Sequence, residues 1–452
     1  VSAPTPTAVR RALPPAVAPL VEAVVAEAER REIAVWLVGG PVRDLLLRRP
    51  LRDVDLVIEP HGEGGAQDLA GAAAPEGARV TAHDRFGTVR LETLEGATLD
   101  LAAARRETYA RPGALPVVEA SGVEEDLRRR DFTVNALALA LSTAARRGRP
   151  ALLDPGGGAA DLDSGVLRIF HARSFHDDPT RALRAARLAV RLGFRLARGS
   201  RSALRDALRD GAFGAVSGDR LRREFEKLFA EAALGADPAA VLRRLAEWHV
   251  LGALEPGLDV AAGAAAPLRR LGRAIAEPPW PISRLRPWVA GLAVWLAPAD
   301  ATLRRRTLRR LSVRGEGADR IAEFPRRRLV WLRALARARG RGAVDALLTP
   351  LDEESVLALW CCAAPTERRR IARWAREDRG RRPPVTGADL VAEGLSGPIV
   401  GAALTRIRAA FLDGALRERE EALALARALG ERERTRLRRK GPAANGSAAG
   451  PS

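Results

Sequence analysis

Cysteine is almost missing from this chain of 452 residues: the two present, Cys361 and Cys362, are adjacent. Neighbours in sequence cannot close an ordinary long-range disulfide with each other, and five scattered histidines do not complete a four-ligand zinc site. A reducing, cytoplasmic setting with no disulfide-linked partner is expected. Long apolar runs are lacking too, and the opening stretch VSAPTPTAVRRALPPAV has no signal-type apolar core. A soluble protein with no membrane partner follows as the expectation. Lysine is scarce and methionine absent, yet the chain holds 75 Lys+Arg against 56 Asp+Glu, a net charge of +19. GC-rich coding explains arginine in place of lysine. It explains the surplus over acids less readily, and that surplus suits a polyanionic partner. The length calls for several cores.

What is present is organised around residues 35–58, VWLVGGPVRDLLLRRPLRDVDLVI. Val35 to Val38 reads as a buried strand, Gly39-Gly40 as a break, residues 41–49 as a short helix and residues 53–58 as a second strand. Side chains two apart on a strand share a face, so Asp53 and Asp55 project together as a hard-oxygen site for Mg²⁺. The glycines and the helix start beside them offer N–H groups to an anion. Taken singly, each fragment has a plainer reading, a turn and a solvated strand edge.

Other stretches carry chemistry further along. Val17, Leu20, Val21, Val24, Val25 and Ala28 have helical spacing, residues 66–74 form a helix candidate, and residues 79–82, 87–94 and 97–102 are strand candidates, the last two joined by a turn at Glu95-Gly96. Asp100 then lies on a strand beside the one carrying Asp53 and Asp55, either as a third carboxylate for metal or proton or as an ordinary solvent-facing Asp. Residues 105–119 are polar and punctuated by Pro and Gly, as a mobile functional loop would be. EEDLRRRDFTVNALALA at residues 124–140 places three arginines ahead of an expected apolar helix after Asp131, and LLDPGGGAADL at 152–162 reads as a hinge without the lysine of a P-loop. In DDPTRALRAARLAVRLGF, residues 177–194, Pro179 suits a first turn, Asp177 or Asp178 a cap and Gly193 an end. Asp178, Arg181, Arg184 and Arg187 would line one slowly turning stripe of that helix. A carboxylate acceptor and a guanidinium donor one turn apart can address a base edge; they also describe a common surface ion pair.

GGPVRDLLLRRPLRDVD resembles the opening signature of the tRNA nucleotidyltransferase and bacterial poly(A) polymerase family, and RRDFTVNA, LLDPGGGAADL, DDPTRALRAARLAVRLGF and VSGDRLRREFEKLF resemble later blocks of that family in order. The resemblance implies an α/β polymerase-β-type nucleotidyltransferase head followed by all-α neck, body and tail domains. The corresponding divisions are a flexible 1–15, a head over 16–170, a neck over 171–232, a body over 233–350, an RNA-binding tail over 351–432 and a disordered 433–452. It implies addition of CTP and ATP to a tRNA or other RNA 3′ end with Mg²⁺ on Asp53 and Asp55. Gly39, Gly40 and Arg43 would receive the triphosphate, unless Arg43 pairs with Asp44. Arg130 would bind phosphate, with Asn135 near the ribose, and Asp178 with Arg181 would select the base, helped by Arg184 and Arg187. Asp177 stands where the family usually has Glu. CCA addition, poly(A) addition and partial CC or A addition share these motifs. A silent RNA-binding protein would be expected to have lost the acids. Runs such as LRRRTLRRL at 303–311 are either an RNA track or a solvated helix face.

Overall fold

A computed structural model describes residues 4–59, 65–83, 87–108 and 117–439. Its contacts divide the chain into two compact units, Val1–Leu228 with Ala240–Asp259 and Arg309–Ser312, and Phe229–Ala239 with Val260–Leu308 and Val313–Ser452.

The first unit opens on α1 (Pro6–Ala12) and α2 (Ala18–Arg30). α1 corrects the expectation of a loose N-terminus. The Thr5 hydroxyl accepts from the Ala8 N–H, and Val9 and Leu13 are buried, so a capped turn with an apolar underside is worth ordering. Next come β1 (Val35–Val38), α3 (Gly40–Leu46), β2 (Asp55–Ile58), α4 (Gly65–Ala73), β3 (Arg79–His83), β4 (Thr88–Glu92) and β5 (Thr98–Ala103). A separate ribbon of β6 (Arg105–Thr108) and β7 (Val117–Ala120) precedes α5 (Val123–Arg128), β8 (Ala138–Ala140), α6 (Thr143–Arg146) and β9 (Leu152–Leu153). The main sheet runs β3-β4-β5-β2-β1-β8-β9, antiparallel except for the parallel pair β2 and β5.

Sequence periodicity misassigned one segment. The helix expected after Asp131 is a single 3-10 turn, Thr133–Asn135, and the ALA run beyond it is β8, hydrogen-bonded to both β1 and β9. Short apolar runs do not distinguish a buried strand from a helix, and a central place in a sheet overrides alanine's helical preference. One core brings Trp36, Val38 and Val57 of the sheet against Val123 and Leu127 of α5. By alternation with Val57, Asp55 faces the same side.

Beyond the sheet lie α7 (Gly158–Asp163), β10 (Val166–Leu167), α8 (Ser174–Asp177), α9 (Arg181–Leu192), β11 (Arg195–Leu196), α10 (Arg198–Arg209) and α11 (Gly218–Ala230). The glycine-rich turn before α7 is a close-packing device. A Cβ on Gly158 would sit 2.2 Å from the Thr133 carbonyl oxygen, and the Gly158 and Ala159 N–H groups donate to the Asp154 carboxylate. Its amides are therefore already taken.

The described residues of the second unit are helical. Trp280, Trp295 and Trp374 are buried there, and Leu390, Ile407 and Leu423 belong to a terminal core. Its last helix, Arg419–Arg439, runs past the point where disorder was expected. Buried Ala422 and Ala426 anchor its first turns, and a helix once nucleated extends at little cost. Residues 440–452 of that expectation lie outside the described residues.

Candidate active site

The bend at the end of β1 is built for close approach. Gly39 has φ +75°, a conformation side chains rarely adopt, and a Cβ there would lie 2.7 Å from Arg130 Nη1. Glycine thus lets the Arg130 guanidinium press against the backbone. The Gly39 N–H donates to the Leu137 carbonyl, which fixes the bend to the segment leading into β8. Gly40 opens α3 one residue earlier than expected, and the helix ends at Leu46 rather than at Arg49. Arg43 takes the structural alternative: it is buried, and it donates from Nε to Asp44 at 2.8 Å and from Nη1 to the Asn135 side chain at 2.6 Å. With these donors engaged, it braces α3 against the 3-10 turn.

Two acids stand at the start of β2 and a third beside them on β5. β2 begins at Asp55, two residues later than expected, and exposed Asp53 precedes it with buried Val54 between. Asp55 is in register with Asp100 on β5, and Asp100 with Arg90 on β4. Burial pushes the Asp55 carboxyl above its ordinary value; nearby Arg130 opposes this, while like-charge repulsion from Asp100 and Asp53 adds to it. Asp55 therefore feels the charge of both Asp100 and Asp53, a repulsion that a dication would relieve. Asp100 is not free: Arg90 donates to both of its oxygens, each at 2.7 Å. Among the described residues no three His, Cys, Asp or Glu side chains converge as a ready metal cluster. Asp55 on β2 and Asp53 two residues before it carry the hard-oxygen donors that Mg²⁺ takes, and the third acid is turned toward a guanidinium.

A residue the sequence reading passed over holds the arginines. Asp126 on α5 is wholly buried and accepts from Arg129 at 2.7 Å and from Arg130 at 3.0 Å. Burial alone would raise its carboxyl, but Arg130 and Arg129 hold it below the ordinary value. The acid lies three and four residues before its partners, a helical spacing that was legible in EEDLRRRD.

The expected base-reading helix is shorter than its motif. α9 starts at Arg181, so Asp178 sits ahead of it, and the single-stripe picture is corrected: Pro179 and Thr180 turn the chain between them. Buried Asp178 accepts from the Thr180 N–H and hydroxyl and from Arg220 at 2.8 Å. Arg181, also buried, donates to the Ser174 hydroxyl and, at 3.0 Å, to the Arg129 carbonyl. Arg184 stands among Asp131 at 3.5 Å, Asp178 at 3.6 Å and Glu224 at 3.7 Å. Arg187 is buried in an ion pair with Glu224 of α11 and braces α9 against that helix. Asp131 links the groups by accepting from the Asn135 amide at 3.0 Å. A cavity of about 250 Å³ opens between the ribbon, α5 and the start of α9, lined by Arg106, Glu107, Arg128, Arg129, His171 and Arg181. Of the expected mobile loop, residues 109–116 lie outside the described residues, and its ends form β6 and β7.

A carboxylate row on a mixed sheet, a glycine bend under an arginine, and helices carrying an Asp–Arg pair define a nucleotidyltransferase head joined to a helical chain. Residues 35–168 match the family described as the Poly A polymerase head domain. The chain is 38% identical over 251 residues to an A-adding tRNA nucleotidyltransferase of Halalkalibacterium halodurans (strain C-125), 54% of this chain and 55% of that protein, so the match spans about half of that relative. With the Multifunctional CCA protein of Xanthomonas euvesicatoria pv. vesicatoria it shares 30% identity over 439 residues, 85% of this chain and 99% of that one. The Thermotoga maritima CCA-adding enzyme, solved in complex with tRNA, superposes with a TM-score of 0.68 at 27% identity, covering 93% of this chain and 97% of that one. The chain belongs to the tRNA nucleotidyltransferase family.

Proposed function

We propose that the protein adds CCA to tRNA 3′ ends from CTP and ATP without a nucleic-acid template, in the cytoplasm. The reading is carried by Asp55, in register with Asp100, two residues after Asp53 and within the field of Arg130, which lies against the Gly39 bend. In the reaction the RNA 3′-hydroxyl oxygen bonds to the α-phosphorus, the bond to the β-phosphate bridge breaks, and pyrophosphate leaves. Asp53 and Asp55 would hold the Mg²⁺ ions, which supply a deprotonated nucleophile and charge neutralisation at the leaving oxygens.

The chain's own groups orient the reactants. Arg130, steadied by Asp126, offers the triphosphate a planar fork of donors, and Arg129 continues that surface toward the cavity. Arg181 and Asp178 present a donor and an acceptor to the base edge, and Arg184 balances the acids around them. Arg43 and Arg187 keep α3 and α9 in place. A second reading, addition of CC, A or a poly(A) tract only, has the support that relatives named for partial addition share the same head. Purified protein with Mg²⁺, single triphosphates and tRNAs ending before each of the three nucleotides separates these. Ordered stops after C, C and A are expected, and long A tracts or a single-step product would overturn CCA addition.

A further inference from the structure

The third carboxylate of the row is held by an arginine that no step of the proposed chemistry uses. Arg90, Asp100 and Asp55 are consecutive cross-strand neighbours on β4, β5 and β2, so their side chains share one face. Arg90 grips Asp100 with Nε and Nη2, both at 2.7 Å, in a two-pronged pair, leaving neither carboxylate oxygen unpaired. Arg90 also opposes the upward push on Asp55, so its charge reaches the site. The pair is open to water, with the arginine side chain 53% and the acid 35% exposed. Exposed pairs of this kind are weak, and such a pair is easily exchanged for a stronger cation.

We propose that Arg90 is an internal counter-cation that competes for Asp100 with a divalent cation bound beside Asp55 and yields the acid to it. This rests on the metal reading of Asp53 and Asp55 and adds to it a positioning residue that sets how readily the site fills. With Arg90 in place, the resting site carries less uncompensated negative charge, and a lone dication meets a competitor for its third ligand. Removing the competitor strengthens cation binding by the fraction of Asp100 it had sequestered, about fivefold for a half-exposed pair.

The test is Mn²⁺ binding to the full nucleotide-free chain, followed by electron paramagnetic resonance and by titration calorimetry. R90Q is expected to lower the Mn²⁺ Kd about fivefold, and the gain should vanish in D100N, where there is no carboxylate to release. Unchanged or weaker Mn²⁺ binding in R90Q overturns the proposal, as does an equal gain in the D100N background, which would mark a general charge effect. D55N tests the underlying reading separately. If it binds Mn²⁺ as well as the parent, the metal assignment itself fails. If D55N loses the ion while R90Q changes nothing, only the role of Arg90 fails.

Discussion

Arginine is used differently in the two units. Around the candidate site it is matched to carboxylates: Arg129 and Arg130 to Asp126, Arg187 to Glu224, Arg220 to Asp178. The helical unit has such pairs too, Arg379 with Glu353 and Arg408 with Asp345, but there other arginines cap backbone carbonyls. Arg304 donates to the Ala299 and Ala322 oxygens, Arg370 to those of Leu335 and Ala338, and Arg270 to that of Cys361. A carboxylate-bound guanidinium can exchange its partner for a phosphate and keep its charge matched. A carbonyl-capping one leaves an unsatisfied buried oxygen if it departs, costing about 1–3 kcal/mol. The +19 charge is thus no tally of RNA contacts. In LRRRTLRRL, Arg304 is buried for structural reasons while Arg305 and Arg309 are exposed, so only part of that run fits an RNA track.

Substitutions in each unit test this contrast. Asp53→Ala removes an exposed acid and should lower incorporation roughly 1,000-fold, since a metal clamp is worth several kcal/mol, with melting temperature and tRNA binding retained; unchanged incorporation would refute the metal assignment. Asp126→Asn should cost on the order of 3 kcal/mol of stability in denaturant melts and raise the KM for both triphosphates, because two guanidinium groups lose a buried acid. Its sign with pH is fixed. A carboxyl lowered from 3.8 stabilises the fold above that value and loses the contribution as pH falls through the folded value, so acid unfolding should be less steep in the variant.

Arg181→Ala should reduce the preference for correct over incorrect triphosphates by roughly ten- to a hundredfold while weakening RNA binding less. Equal loss for every triphosphate would remove it from base selection. Arg370→Ala is the counter-case: about 2 kcal/mol of stability lost on thermal or urea unfolding from two uncapped carbonyls, with nucleotide KM unchanged. A raised KM there would erase the contrast between the units.

Much of the site was legible because its signals are local. The glycine bend and the strand bearing Asp100 show in local composition and period-two patterning, and the parallel register of Asp55 with Asp100 agrees with it; Asp53 lies outside β2, so strand alternation does not place it. What was not legible depends on partners distant in sequence. Arg43 meets Asn135 across 92 positions and Arg187 meets Glu224 across 37, and no local pattern distinguishes a braced arginine from an available one. Asp178 lies ahead of α9, as the cap reading has it, and off the helix stripe, because Thr180 donates to its carboxylate and completes a turn before the helix.

The hydrogen bond from Arg181 to the Arg129 carbonyl has a wider consequence. Arg129 and Arg130 are consecutive and share one buried acid, so the arginine proposed to meet the base and the one proposed to meet the phosphates are tied by a short stretch of backbone. A poorly fitting base that displaces Arg181 would tug the tether and disturb the grip on the triphosphate some residues away. Fidelity and turnover in this chain would then rise and fall together, and evolution could not retune one without touching the other.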